Sequence, residues 1–120
     1  MSAKERVVVL DRAAHAAAID FPLPAFDCNW SEYPDTPAAD LVPRVFWATT
    51  IITHDCGLDA AALAQLHKLK RVLVTGGAAV DEAACAAQGV DVMRMPGASP
   101  AELVARLDTA VQVTLPQVHK

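Results

Sequence analysis

Unbroken apolar runs alternate along this chain with segments whose apolar residues recur every three or four positions. Arg6-Val7-Val8-Val9-Leu10 is bounded by charge and reads as a central strand buried on both faces. Thr49-Thr50-Ile51-Ile52-Thr53 and the stretch around Arg71-Val72-Leu73-Val74 repeat that pattern, and Cys28 to Tyr33 is a weaker version that suits a sheet edge. Between the strands lie helical stretches. Ala13 to Ile19 is alanine-rich and is stopped by Phe21-Pro22-Leu23-Pro24. Thr36-Pro37 opens a second helix, with Pro37 at its first position and Pro43 making it short or kinked. A third, from Leu58 to Leu66, leads into the fourth strand. That strand ends in Thr75-Gly76-Gly77, a further helix follows, and Gln88-Gly89 closes it. The fifth strand stops at Met95-Pro96-Gly97.

Ser99-Pro100-Ala101-Glu102 is a capping box with proline at the first helical position. Leu103, Leu107, Val111 and Leu115 then recur at four-residue spacing until Pro116. The pattern predicts five strands, each followed by a helix. The simplest architecture is an α/β, flavodoxin-like doubly wound parallel sheet of order 2-1-3-4-5, with helices on both faces and right-handed crossovers.

The 120 residues suffice for a single domain, 1–120, with one real core, and the 53% apolar content fits a buried parallel sheet. A net charge of −4 with no Lys/Arg cluster leaves no electrostatic footprint for nucleic acid or a membrane surface. No apolar run approaches the length of a membrane span, and the amino terminus has no signal-peptide pattern. Cys28, Cys56 and Cys85 are odd in number and far apart, so neither a disulfide framework nor a structural zinc site is expected, and a cytoplasmic setting follows.

In an open sheet of this order, ligands lie beyond the carboxyl ends of the strands, near the switch between strands one and three. Asp11, Arg12, Thr53, His54, Asp55, Cys56, Thr75, Gly76 and Gly77 fall there. Arg12, His54, Thr75, Gly76 and Gly77 are the ligand-binding candidates, because guanidinium and oriented amides suit a carboxylate or phosphate. The bland alternative is that Asp11 and Arg12 cap a helix and pair on the surface. His54-Asp55-Cys56 also invites a nucleophile or metal reading: in an extended segment His54 and Cys56 point the same way and could meet. No further His or Cys is close in sequence to complete a metal site, so no catalytic or metal residue is assigned. His15, His67 and His119 are expected on the surface of helices or the tail. Trp30, Tyr33, Phe46 and Trp47 are either core residues or a partner surface. Other chemistries of this fold do not fit. The Thr75-Gly76-Gly77 glycines lack the later glycines of short-chain dehydrogenases, Asp11 stands alone where a response-regulator receiver clusters acids, and Asp11 to His15 is not a flavin phosphate loop.

Many weak matches in one order carry a family resemblance. Leu58 to Thr75 reads L-D-x-x-x-L-x-x-L-x-K-L-K-R-V-L-V-T, and Val80 to Gly97 reads V-D-x-x-A-C-A-A-Q-G-V-D-V-x-x-x-P-G. With Val7 to Arg12, Tyr33-Pro34-Asp35-Thr36-Pro37 and Ile51-Ile52-Thr53, these resemble the substrate (catalytic) domain of D-2-hydroxyacid dehydrogenases, the family of glycerate, formate and phosphoglycerate dehydrogenases. The resemblance implies the same flavodoxin-like fold. It does not bring the cofactor. The family binds NAD on a second domain through G-x-G-x-x-G, and glycines 57, 76, 77, 89 and 97 have no such spacing. The family's catalytic Arg, Glu and His also lie in that domain. Its members hold the substrate carboxylate partly on amides of the loop after the fourth strand, which is shorter here. The expectation is a stand-alone relative of the substrate domain, without redox activity of its own, that binds a small carboxylate or anion and forms a homodimer. The alternatives are a component whose NAD domain is supplied in trans and a relic without a ligand. The last helix, standing where the family chain crosses into its NAD domain, is expected to fold back on the sheet or pair with a second copy.

Overall fold

The computed structural model describes residues 5–12 and 28–114. Five strands run parallel in the order β2-β1-β3-β4-β5: β1 Glu5–Val9, β2 Cys28–Glu32, β3 Thr50–Thr53, β4 Arg71–Val74 and β5 Asp91–Arg94. The doubly wound α/β sheet is therefore the one the pattern predicts. Its register places Val7 beside Thr50, Thr50 beside Arg71 and Arg71 beside Asp91, so all five carboxyl ends open on one rim. The Val/Ile/Leu-rich strands β1, β3 and β4 are central, where both faces are covered. β2 and β5 carry the polar residues and form the edges.

The period-two alternation of the strands divides the core. Val8, Ile51, Val72 and Val74 face α1 (Ala38–Val45), α2 (Ala60–Leu63) and α3 (Glu82–Gln88), meeting Leu41, Val45, Leu63 and Cys85. Val7, Val9, Ile52 and Leu73 face the other way, onto Leu103, Leu107 and Val111 of α4 (Pro100–Thr114). The last helix thus folds back on its own sheet. It starts with the expected capping box: the Ser99 N–H donates to Glu102 Oε1 at 2.9 Å, and the Glu102 N–H donates to Ser99 Oγ at 3.2 Å.

Three helix expectations change in detail. α1 begins after Pro37, which is its N-cap and not its first residue, and Thr36 uses its hydroxyl to bond the Leu10 carbonyl at 2.8 Å. α2 has four residues, not the nine from Leu58 to Leu66. Its continuation tightens into three-residue bonds, Gln65 N–H to Ala62 and Leu66 N–H to Leu63, which turn the chain down toward β4. His67 is exposed as expected, but on that turn and not on a helix. The Ala13–Ile19 helix, His15, Leu115 and His119 lie outside the described residues. α3 closes on Gly89, whose φ of 76° is the left-handed cap that glycine adopts without a Cβ penalty.

Candidate functional site

The loops after β3 and β4 at the carboxyl rim are built by specific hydrogen bonds. β1 delivers Asp11, which is 8% exposed, to the start of the β3 loop. Its carboxylate accepts the His54 N–H at 2.9 and 3.0 Å, the Asp55 N–H at 2.7 Å and the Cys56 N–H at 3.2 Å. Three consecutive amides therefore converge on one side chain. Asp11 is therefore not the solvated surface charge of the bland expectation; the helix it was expected to cap lies outside the described residues. The Thr53 hydroxyl, fully buried, donates to the Cys56 carbonyl at 2.8 Å and closes the same loop from inside.

The chain bends at His54 and Asp55, so His54 and Cys56 diverge. His54 Nδ1 lies 2.9 Å from Thr75 Oγ1, while Cys56 Sγ turns to the Thr36 carbonyl at 3.8 Å. Burial, followed by the negative charge of Asp11, pushes the Cys56 thiol pKa up. The nucleophile-and-base contact that the sequence allowed for this pair is not formed: the bend separates them, and the thiol is disfavoured as thiolate. Among the described residues no three His, Cys, Asp or Glu side chains are arranged to hold a metal ion. Cys28, Cys56 and Cys85 are all free thiols.

The β4 loop packs directly on the β3 loop. The Thr75 N–H donates to the Thr53 carbonyl at 3.0 Å, and the Ala78 N–H to the His54 carbonyl at 3.0 Å. Gly76 lies between these bonds against the imidazole. A Cβ there would stand 2.7 Å from the His54 carbonyl oxygen and 2.8 Å from two ring carbons, so only glycine fits. Gly77 is exposed, with open space where its Cβ would be. The Gly76 and Gly77 amides meet no protein acceptor among the described residues. Two consecutive N–H groups without an acceptor among the described residues, the first of them beside the imidazole, are donors of the kind an anion can use.

Of the five candidates, His54, Thr75 and Gly76 are in mutual contact, with Gly77 next to them. Arg12 is drawn toward the β2 side: its Nε pairs with Glu32 Oε1 at 3.1 Å, and its N–H bonds the Tyr33 carbonyl at 2.8 Å. Glu32 also accepts from the Trp30 indole at 2.7 Å, which fixes the carboxylate that holds Arg12. On the helix side of the β3 loop lies an open cleft of about 630 Å³, lined by Leu41, Val42, Leu58 and Ala62 with Cys56 and Asp59 at its wall. Its walls come from three separate helices and loops, so no contiguous motif announces it.

The aromatic residues divide. Trp30 packs partly against the α4 side of the core, and Tyr33 against the other side with the Arg44 guanidinium 4.2 Å over its ring. Phe46 and Trp47 form an edge-to-face pair with centroids 5.1 Å apart, and they remain 38% and 59% exposed, so they are not core residues.

No protein-family model matches the chain. Over 96 residues, 78% of its length, it is 35% identical to a Haemophilus influenzae protein named "Putative 2-hydroxyacid dehydrogenase". The matched region makes up 30% of that relative, so the chain spans less than a third of its length. No helix among the described residues is long and apolar enough to cross a membrane. This chain is thus similar over most of its length to one part of a protein named as a 2-hydroxyacid dehydrogenase, and its sheet has the 2-1-3-4-5 order expected from that resemblance.

Proposed function

We propose that these 120 residues form a substrate-side, carboxylate-binding domain that performs no redox chemistry by itself. One observation carries the reading: at the carboxyl end of β4 the consecutive Gly76 and Gly77 amides lack an acceptor among the described residues, next to an imidazole oriented by Thr75. A small 2-hydroxy or 2-keto acid would place its carboxylate on those amides, with His54 alongside and Arg12 at the far side of the strand-order switch. The glycines of these residues lack the spacing of a dinucleotide loop, so no cofactor is assigned to them. A second reading is favoured by the partial coverage of the relative. In it the chain supplies the substrate side of an NAD-dependent oxidoreductase acting on the CH–OH group of 2-hydroxy acids, the nucleotide being held by other residues in trans. Both readings include a homodimer in the cytoplasm, with the exposed Phe46 and Trp47 as the surface that would pair.

The test is thermal melting of the purified chain with glyoxylate, lactate, hydroxypyruvate, phosphate and NADH. A carboxylate that binds the native state raises the melting temperature with its concentration as mass action requires. Glyoxylate should do so, NADH should not, and NADH should not be oxidised in the presence of glyoxylate or hydroxypyruvate. A flat response to every carboxylate would defeat the binding reading, and NADH oxidation by the chain alone would defeat the claim that it has no redox activity.

A further inference from the structure

We propose that Asp11 is a built-in carboxylate ligand of the β3 loop: it fills an amide cluster that would otherwise hold a foreign carboxylate, and so leaves Gly76–Gly77 as the place for an external one. The proposal rests on the carboxylate-binding reading for its second half only. Asp11 occupies the loop as a bound anion would. Both of its oxygens are engaged, by amides of three successive residues at 2.7 to 3.2 Å. It comes from a different strand, 43 residues earlier in the chain than His54, so it acts as a ligand to the loop and not as a local turn. Charge-assisted bonds of this kind are shorter and stronger than neutral ones.

Two consequences follow. With these amides satisfied internally, the loop keeps the bend that sends His54 to Thr75 and Cys56 away from it. The negative charge of Asp11 is also spent on those N–H groups, close to a site meant for another anion. Asp11 is thus a positioning residue. It shapes the site through the His54–Cys56 backbone and is not itself a ligand contact.

Chemical rescue tests this. Asp11→Ala leaves a carboxylate-sized gap facing three amides. Its melting temperature should fall by about 10 °C, and sodium formate should restore part of that loss in a saturable way, beyond what formate does for the wild type and beyond sodium chloride at equal ionic strength. A wild-type melting temperature in Asp11→Ala, or formate acting no better than chloride, overturns the proposal. Any effect of formate on the wild type reports on Gly76–Gly77, so failure of the binding reading and failure of the Asp11 proposal are read separately. If Asp11→Ala does not fold, Asp11→Asn keeps the shape and loses the charge. Its amide spectrum should then show the His54, Asp55 and Cys56 protons shifted upfield, with Gly76 and Gly77 little changed. Unmoved loop amides would refute the assignment.

Discussion

Arg71 and Glu5 meet at 3.0 Å inside the amino-terminal rim of the sheet, at the end opposite the candidate site, with side chains only 1% and 5% exposed. The pair is fully supported. The Thr49 hydroxyl donates to the same Glu5 oxygen at 2.7 Å, Arg71 donates to Thr50 Oγ1 at 2.8 Å, and Lys70 approaches the second Glu5 oxygen at 3.4 Å. Removing one partner would leave the other charge buried. Glu5→Ala and Arg71→Ala are each expected to cost about 3–5 kcal/mol in urea unfolding, and the double replacement by apolar residues should cost less than the sum of the two. Additive losses would show that the pair is not coupled.

The same pair sets a pH dependence. Burial alone would raise the Glu5 pKa, but the hydrogen bonds from Thr49 and Arg71, with the charges of Arg71 and Lys70, outweigh it and hold the carboxyl below its ordinary 4.5. A carboxyl lowered on folding adds stability above its unfolded pKa and loses that contribution as pH falls through the lower folded value. Wild-type stability should therefore drop below pH 4.5 more steeply than that of Glu5→Gln. Parallel pH curves for the two proteins would refute it.

The two glycines of the β4 loop should respond oppositely to alanine. Gly76→Ala drives a Cβ into the His54 carbonyl and ring, and overpacking of this kind costs about 1–3 kcal/mol. Gly77→Ala meets nothing and should melt within a degree or two of wild type, given surface effects of about 0.5 kcal/mol or less. Equal melting temperatures for the two variants would show that the His54 contact does not constrain the loop.

α4 is held by the side chains it lays on the sheet. Leu107 is fully buried between Leu103 and Val111, and Leu107→Ala should cost about 2–5 kcal/mol. Ser99→Ala removes the cap oxygen that accepts the Glu102 N–H and should cost about 1 kcal/mol. If Leu107→Ala unfolded at the wild-type urea midpoint, α4 would not be docked on this face.

Cys56 is expected to be a slow thiol. Its raised pKa and its turn toward Thr36 predict alkylation by N-ethylmaleimide at pH 7 slower than that of free cysteine, and equally slow in His54→Ala. Fast labelling of Cys56 that disappears in His54→Ala would restore the nucleophile reading.

Most of the fold is legible in the sequence. Strand positions, the central places of β1, β3 and β4, and the Ser99–Glu102 cap follow from periodicity and local hydrogen-bonding chemistry. Those signals act over a few residues and leave their mark in the sequence. The candidate site was legible only as a rim. Position in a doubly wound sheet brought His54, Thr75, Gly76 and Gly77 forward together, but not the contacts among them.

What the sequence by itself determined is the alternation of strands and helices, the strand order that follows from it, and a resemblance to one part of an enzyme family. Only the tertiary structure decided which charges are buried and what they hold. Asp11 stands 43 residues from the amide of His54, and Glu5 stands 66 residues from Arg71. In each case an isolated acid at the end of a strand looks like any solvated charge until packing removes water from it. Packing also decided that Gly76 must be glycine while Gly77 is free of contact, since the two differ only in whether the His54 ring and carbonyl lie where a Cβ would go. Such pairings are fixed by the three-dimensional register of parallel strands, which has no local period for the sequence to display.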